Sequence, residues 1–492
     1  MGLFDGLFTK KPIDALLAQA EDSGAHTLRR GLGPVSLMLL GIGGVIGAGI
    51  FVLTGQQAAI NAGPAIVLSF ILAGVVCAFT AMCYAELASM IPVSGSAYTY
   101  TYATLGEFIA WLIAWDLILE YGLASATVSA GWAGHFRDML QGFGVTMPHA
   151  WSSAPYTFDG AHLIASGSIL NLPAVGIVCL MGGLLITGVT ESALVNNIIV
   201  SLKVLTVIAV IVIGFGHVNP SYWHPLIPPR TVPTASDPMS HYGLPGVLTA
   251  AGVIFFAYIG FESVSTAAQE AKNPQRDMPL GILGSLGICT VLYILMSLVI
   301  TGLQPYAQLN NDAPVARALG AVPGLGWLRQ IVNVAVTIGL GSTILSLLYG
   351  QSRIFYAMAR DGLLPPMFGN VNPKTRTPIW STVITAGCAG LVGGLFPISV
   401  LGELVSMGTL LAFCLICCGV LYLRVKNPEL KRSFKTPFVW VTAPLGAAGC
   451  LFLISGLPAP TWIRLFVWMA IGLVIYFTYA HRHSRYQAAA AE

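Results

Sequence analysis

Long apolar runs recur along nearly the whole chain, and they constrain its fold more than any other feature of the sequence. A helix that crosses a membrane needs about 20 mostly apolar residues, and stretches such as 65–83 and 198–216 stay apolar almost without interruption. A membrane β-barrel would instead show segments of about 10 residues with alternating polarity. Only 9% of the residues are charged, against about 25% in an ordinary soluble domain. The sequence therefore predicts an all-α polytopic membrane protein.

Length and hydropathy predict twelve transmembrane helices, and turn residues such as Asn61-Ala-Gly-Pro64 separate them. Two longer polar stretches, 131–171 and 217–245, connect spans and do not resemble separate domains. We divide the chain into an N-terminal segment (1–34), a ten-helix core (35–425), two further helices (426–481) and a C-terminal tail (482–492). The predicted spans begin near Val35, Ala65, Tyr98, Leu172, Ser192, Gly246, Leu280, Gln330, Pro378, Leu401, Phe438 and Trp462.

The distribution of lysine and arginine predicts the orientation, because positively charged short loops stay in the cytoplasm. With the N-terminus inside, 17 of the 23 basic residues fall in cytoplasmic connections or in the two terminal segments. Both termini are therefore predicted to be cytoplasmic, in a protein of the cell membrane. Residues 1–34 lack the apolar core of a cleaved signal, so we expect the first span to stay as an anchor. The basic residues left on the outer side are Arg137, Arg230, Arg317, Arg329 and Arg464.

Several kinds of partner are excluded by charge and cysteine usage. A net charge of +3, without a basic patch interleaved with aromatic residues, argues against nucleic acid. The nine cysteines lie in apolar segments without a set of ligands at metal-binding spacing, so we expect no metal and no cofactor. Neither 131–171 nor 217–245 contains cysteine, so we expect no disulfide to a partner chain through these loops.

Glycines crowd the first span, in the segment Gly41-Ile-Gly-Gly-Val-Ile-Gly-Ala-Gly-Ile50. Glycine inside a helix costs about 1 kcal/mol relative to alanine, so we expect the helix to unwind here, about 18 Å along from Val35. Irregular backbone at that depth is tolerated where it lines a cavity. The alternative is a close helix contact of the Gly-x-x-x-Gly type, which Gly43 and Gly47 satisfy.

A second predicted break lies in the sixth span, in Phe255-Phe-Ala-Tyr-Ile-Gly-Phe-Glu-Ser263. This segment places Gly260 and the ionisable Glu262 inside an apolar run. Interrupted helices at matching positions of two halves indicate an inverted-repeat transporter that holds its substrate at the midplane. Because five spans separate the two breaks, we predict that spans 1–5 and 6–10 form two inverted repeats, followed by two extra C-terminal helices.

The chemistry of two such breaks favours an α-amino acid. Backbone N–H groups that open the second half of helix 1 attract a carboxylate, and carbonyls that end the first half of helix 6, with Val45 opposite, accept hydrogen bonds from an ammonium group. We expect valine at Gly47 or Gly49 to abolish binding and leave the protein folded. The predicted substrate residues at the breaks are Val45, Ile46, Gly47, Ala48, Gly49, Ile50, Phe256, Ala257 and Ile259.

From about Leu32 to Lys426 the chain resembles the amino acid-polyamine-organocation superfamily, and within it the bacterial members of the cationic amino acid transporter family. This resemblance implies a leucine-transporter-like fold of five plus five helices, alternating access and amino acid transport. The motifs that carry it are Gly47-Ala-Gly-Ile-Phe51, Tyr84-Ala-Glu-Leu87 followed by Pro92-Val-Ser-Gly-Ser-Ala-Tyr98, and Tyr258-Ile-Gly-Phe-Glu262 followed by Glu270-Ala-Lys-Asn-Pro-Gln-Arg276.

Ionisable groups inside membrane spans are candidates for function, and Lys203 is the first of them. The resemblance implies proton coupling through a lysine in span 5, where Lys203 falls. We expect Ser342 and Thr343 of span 8 to be its hydroxyl partners. The alternative is a structural lysine bonded to backbone carbonyls.

Acidic residues in the spans form the second group of candidates. Asp116 and Glu120 are four residues apart and share a helix face, where they would bind a basic side chain or belong to the proton network. The resemblance favours Glu120, because the family carries a glutamate in span 3. Glu262 either gates transport or caps the second half of helix 6. Glu86 and Glu107, near span ends, are expected to be solvated or paired.

We interpret the chain as a proton-coupled transporter of small or medium neutral amino acids. The family name instead implies arginine or lysine, and exchange is a further alternative. A membrane-embedded enzyme or a channel is the remote alternative. An enzyme would need a nucleophile and base, or convergent metal ligands, at membrane depth, and we place His135 and the other early histidines in outer loops.

Overall fold

The computed structural model describes residues 7–12, 32–91, 96–158, 163–188, 193–231, 241–372, 375 and 377–487, which are mostly helical, as predicted. The α-helices are α1 (Pro34–Val45), α2 (Thr54–Gln57), α3 (Ile66–Met90), α4 (Ser96–Thr104), α5 (Glu107–Gly142), α6 (Leu172–Ile186), α7 (Ala193–Phe215), α8 (Gly243–Ile254), α9 (Pro274–Leu303), α10 (Pro314–Ala321), α11 (Gly326–Arg360), α12 (Ile379–Leu395), α13 (Ile398–Lys426), α14 (Val439–Ser455), α15 (Ala459–Ile475) and α16 (His481–His483).

Shorter helical turns extend or link these helices. Three are π-helical, at Gly49–Leu53, Ala58–Ala62 and Tyr476–Ala480. The others are 3₁₀ turns, at Gly63–Ala65, His149–Trp151, Pro220–Trp223, Phe255–Tyr258, Phe261–Glu270, Tyr306–Gln308 and Pro366–Gly369.

Eight helical stretches in the described part of the chain are long and apolar enough to cross a membrane, and α1, α6, α12 and α14 are shorter apolar helices. Large apolar side chains stay exposed on the outside of these helices, for example Leu205 and Val212 on α7 and Phe466 on α15. In a membrane such side chains face lipid, which is as apolar as they are. The multi-pass helical architecture is therefore confirmed, and the number of crossings stays a prediction.

The third predicted span begins later than expected. Tyr98 lies in the separate helix α4, and the chain turns at Gly106, whose φ of +97° favours glycine. A Cβ at Gly106 would lie 2.7 Å from the Phe8 backbone, so the turn also depends on the N-terminal segment. The long helix α5 then starts at Glu107.

The predicted polar stretch 131–171 is also wrong at its start, because α5 continues to Gly142. Polar residues near this end of α5 have partners on α11: the Asn333 side chain bonds to both His135 and Asp138, and Arg329 pairs with Asp138. His135 is therefore buried within a helix and not in an outer loop. The rest of the stretch contains an antiparallel hairpin, β1 (Tyr156–Phe158) with β2 (Leu163–Ala165), which the all-α prediction missed.

Lys11 and Gln487, described residues near the two ends of the chain, lie at one end of the bundle, which we call the terminal face. The Lys11 ammonium lies 3.1 Å from Asp361, each side chain 5% exposed, and the Tyr98 hydroxyl donates to the same carboxylate at 2.7 Å. Glu107 is buried, and its carboxylate accepts from the Tyr102 hydroxyl and the Gln487 amide, each at 2.7 Å. The opposite end, where α5 ends, we call the distal face.

The other predicted end-of-span acid, Glu86, is also paired. Arg424 and Arg432 lie 2.8 and 3.1 Å from its carboxylate, and Glu86 and the Arg432 side chain are both buried. These contacts connect α3 to α13 and to the segment that follows α13. Glu86 therefore serves packing at the terminal face.

Candidate functional site

The first helix is interrupted where its glycines predict a break. Helix α1 ends at Val45, and Ile46 is extended, with φ −73° and ψ 93°. Helical structure resumes near Ala48 and continues as the π turn Gly49–Leu53. The first N–H groups of a helix have no partner within that helix, and here those groups belong to residues 48–50, at the break.

The second predicted break is present as well. After α8 and the turn Phe255–Tyr258, Ile259 is extended, with φ −61° and ψ 135°. Gly260 follows with φ +124°, a conformation that favours glycine. The Gly260 N–H donates to Glu262 Oε2 at 2.8 Å. Glu262 therefore caps the segment after the break, as one of the two interpretations of this residue expected.

The two breaks pack against each other through backbone. A Cβ built on Gly260 would lie 2.4 Å from the Gly44 carbonyl carbon, and one on Gly49 would lie 2.4 Å from the Ala257 Cα. A Cβ on Gly47 would meet nothing closer than Thr343 Cγ2, at 3.8 Å. Of the two glycines in the Gly-x-x-x-Gly alternative, Gly43 packs closely, since a Cβ there would lie 2.5 Å from Val200 Cγ2, whereas Gly47 borders open space at the break.

Some carbonyls assigned to the substrate ammonium already have internal partners. Val45 O accepts from the Tyr293 hydroxyl of α9 at 2.6 Å, and Phe256 O accepts from the Ile259 N–H at 3.2 Å. A substrate ammonium would therefore not be the first hydrogen-bond partner of either carbonyl. Each carbonyl has two lone pairs and can accept a second hydrogen bond. The sequence does indicate a donor of this kind, because Tyr293 places a hydroxyl group within an apolar span.

A serine from α13 holds the other side of the sixth-helix break. The Ser406 hydroxyl donates to Val253 O at 2.8 Å and accepts from the Phe256 N–H at 3.0 Å. It thereby satisfies backbone groups on both sides of the junction between α8 and its 3₁₀ extension. Ser406 was not among the residues predicted from the sequence, although a buried hydroxyl in an apolar span needs a partner.

Lys203 links three helices next to the first break. Its buried ammonium donates to Thr343 Oγ1 on α11 at 2.7 Å and to Gly43 O on α1 at 3.0 Å. Gly339 makes room for the side chain, because a Cβ there would lie 2.8 Å from Lys203 Cε. The predicted contact with Thr343 is present, and Ser342 is buried beside it. The bond to Gly43 O is of the kind that the structural alternative also expects.

Three acidic side chains are buried on the terminal side of the sixth-helix break. Asp116 and Glu120 of α5 are 1% and 2% exposed, and Glu262 is 5% exposed. Asp116 lies against α13, since a Cβ at Gly408 would be 2.6 Å from Asp116 Oδ1. Within the described residues, both Asp116 oxygens and Glu120 Oε2 have no hydrogen-bond partner. Glu262, in contrast, has a partner, because its Oε2 accepts a hydrogen bond from the Gly260 N–H.

A cavity of about 530 Å³ opens on the distal side of the first break. Val52, Gly131 and Ile398 form its floor, and a Cβ on Gly131 would lie 3.2 Å from Val52, Ile398 and Ala48. One layer of side chains therefore separates the cavity from the start of the second half of helix 1. We call this cavity the vestibule.

Two interrupted helices that pack together inside a multi-pass bundle are typical of secondary transporters. The chain belongs to the amino acid permease family of the amino acid-polyamine-organocation superfamily, and the family model matches residues 32–479. This confirms the resemblance seen in the sequence motifs, and it makes the chain a permease and not an enzyme.

Named relatives cover nearly the whole chain. The methylthioribose transporter of Bacillus subtilis (strain 168) is 45% identical over 478 residues, which are 97% of this chain and 98% of that protein. The branched-chain amino acid permease BcaP of the same organism is 45% identical over 480 residues, again 97% and 98%. The vacuolar cationic amino acid transporter 4 of Arabidopsis thaliana is 37% identical over 86% of this chain and 68% of its own length.

Proposed function

We propose that this permease takes up neutral amino acids together with protons by alternating access. The observation that carries the proposal is the Lys203 ammonium, which bridges Gly43 O and Thr343 Oγ1 beside the first-helix break. An ionisable group at such a place in a membrane protein marks a proton or substrate pathway by default.

The proton would act through this bridge. A charged donor makes hydrogen bonds roughly twice as strong as a neutral one, so the protonated lysine holds α1 to α7 and α11. Loss of the proton weakens the two bonds and frees the end of α1 to move. Substrate and proton then act on the same break, the substrate on the N–H groups of residues 48–50 and the proton on Gly43.

The central site is suited to the two charged groups of an amino acid. The carboxylate binds the N–H groups of Ala48, Gly49 and Ile50, where the helix dipole favours an anion. The ammonium binds carbonyls of Ala257 and Ile259 in the sixth-helix break. A small or medium neutral side chain needs no counter-charge, so the site does not depend on Glu262, whose Oε2 already accepts the Gly260 N–H.

The names of relatives support this substrate class. Branched-chain amino acid permeases of Bacillus subtilis and Lactococcus lactis are 45% and 35% identical to this chain. Branched-chain amino acids, which these names state, have aliphatic and uncharged side chains. We therefore choose L-leucine, L-isoleucine and L-valine as the first substrates to test.

A cationic amino acid is the second candidate, and one observation favours it. Glu120 is buried and its Oε2 has no hydrogen-bond partner among the described residues. A carboxylate in that place could pair with a guanidinium or ammonium side chain, and cationic transporters of Arabidopsis are 35–38% identical. If arginine and lysine compete with uptake and leucine does not, this candidate replaces the first, and Glu120→Gln should then abolish uptake.

We also propose twelve spans with both termini in the cytoplasm of a cell-membrane protein. The eight long and four short apolar helices support this number, with the breaks in the first and sixth spans. The chain ends share the terminal face, which also carries Lys10, Lys11, Arg424 and Arg432. Positive charge on one face agrees with a cytoplasmic location.

The function is tested with purified protein in sodium-free proteoliposomes under an imposed pH gradient. The wild type should accumulate leucine against its concentration gradient, and Lys203→Ala should not, while both exchange internal for external leucine. Lys272→Ala, which removes an exposed lysine, is the matched control and should behave as wild type. Sodium-dependent accumulation, or full proton-driven accumulation by Lys203→Ala, would contradict proton coupling.

A further inference from the structure

The vestibule on the distal face is lined by three charged side chains, those of Arg137, Asp312 and Arg317. We propose that it is a second, weaker binding site for zwitterionic amino acids, occupied before the substrate enters the central site. This inference rests on the proposed function, because it concerns the same substrate.

Three charged side chains line the vestibule and differ in how firmly they are held. Arg137 donates to Ser152 O at 2.8 Å and to Ser153 Oγ at 2.6 Å, and it also pairs with Asp312. The Asp312 side chain is 49% exposed. Arg317 is 41% exposed, and its Nε lies 3.7 Å from Asp138 Oδ1, which is too long for a hydrogen bond. Asp312 and Arg317 can therefore take further partners.

These groups match an amino acid zwitterion. The guanidinium of Arg317 offers donors in a plane that suits a carboxylate, and Asp312 offers acceptors for an ammonium group. Val52, Phe396 and Ile398 supply apolar surface for a side chain. A volume of about 530 Å³ leaves room for one amino acid with its water.

The charges also set the substrate class. Two arginines and one aspartate line the vestibule, which leaves one positive charge in excess. An amino acid with a cationic side chain is repelled by this excess, and a neutral zwitterion is not. The vestibule should therefore bind leucine more tightly than lysine.

The floor of the vestibule separates it from the central site. An amino acid bound in the vestibule therefore occupies a site of its own before it moves on. The side chains of Val52, Ile398 and Ala48 surround Gly131, each 3.2 Å from the position of a Cβ built there. In this conformation the layer blocks direct passage, so an amino acid in the vestibule cannot reach the N–H groups of the break. Movement of the second half of helix 1 would carry Val52 away and open the floor.

The test counts bound leucine by equilibrium dialysis of the purified full-length protein with radiolabelled L-leucine. The wild type should bind two leucines per chain. Arg317→Gln and Asp312→Asn should each weaken the second site about tenfold or more, the cost of one charged hydrogen bond, and keep the first. Gly47→Val should lose the central site and keep the vestibule. Arg230→Gln, an exposed outer arginine that does not line the vestibule, should bind two.

The salt dependence of leucine binding distinguishes a binding role of Arg317 and Asp312 from a purely structural one. The second site should weaken as ionic strength rises, because its charges are partly exposed and are screened, and the first should change little. One leucine per chain, lost in Gly47→Val, would overturn the vestibule site and leave the proposed function intact. Two leucines in both Arg317→Gln and Asp312→Asn would also overturn it. No leucine binding by the wild type would overturn the proposed function and this site together.

Discussion

Gly260 lies so close to Gly44 that a Cβ on Gly260 would sit 2.4 Å from the Gly44 carbonyl carbon. The two residues belong to the two interrupted helices, and their contact is backbone against backbone. Any movement of one break is therefore transmitted directly to the other, because no flexible side chain lies between them.

This contact predicts a large loss of stability when a side chain is added. In Gly260→Ala the new methyl group meets the Gly44 backbone, and alanine must also adopt φ +124°. Overpacking and backbone strain each cost about 1–3 kcal/mol. We expect a clear fall in the thermal unfolding temperature of the purified protein. Gly287→Ala on α9, where a Cβ meets nothing within 4 Å, is the control and should be as stable as wild type or more stable.

The two glycines after the first break should respond differently to substitution. Valine at Gly47 enters open space, so Gly47→Val should fold normally and lose leucine binding at the central site. Valine at Gly49 meets Ala257 at 2.4 Å, so Gly49→Val should lose stability before it loses binding. This corrects the expectation from sequence that both variants stay folded. Thermal unfolding and leucine binding, measured on the same preparations, separate the two effects.

Thr343 should matter for proton coupling through its hydroxyl group. Thr343→Ala removes the 2.7 Å bond to the Lys203 ammonium, and Thr343→Ser keeps it. We expect proton-driven leucine accumulation in proteoliposomes to fall severalfold in Thr343→Ala and to return in Thr343→Ser. Equal accumulation by the two variants would mean that the Lys203 to Thr343 bond has no part in coupling.

The buried ion pair between Lys11 and Asp361 should stabilise the terminal face. Asp361→Asn leaves Lys11 without its counter-charge, and breaking a buried pair in this way costs about 3–5 kcal/mol. The variant should unfold at a lower temperature, and backbone amides of α4 should exchange with solvent faster. The double variant Lys11→Met with Asp361→Asn should recover part of the loss, since no unpaired cation is left. Lys10→Met, at an exposed bond to Tyr422, should change little.

Features that depend on neighbouring residues were predictable from the sequence, and features that depend on distant residues were not. The breaks at Ile46 and Gly260 were predictable because glycine weakens a helix wherever it stands. The partner of Val45 O was not, because Tyr293 is 248 positions away along the chain. The length of α5 was missed for the same reason, since His135 meets Asn333, 198 positions away.

The sequence by itself determined the membrane setting, the family, the two interrupted helices and the presence of Lys203 in an apolar span. The family was indicated by motifs spread along most of the chain, and the other features depend on hydrophobicity or backbone preference within about 20 residues, which a single stretch of chain expresses alone. Only the tertiary structure decided that Gly49 is a packing residue and Gly47 is not, that Glu262 is a cap, and that Arg317 and Asp312 share a cavity. Apart from the Glu262 cap, which is a local bond to Gly260, these properties depend on residues far apart in sequence, such as Gly49 and Ala257 or Arg317 and Arg137, whose distances are fixed by packing of the folded chain.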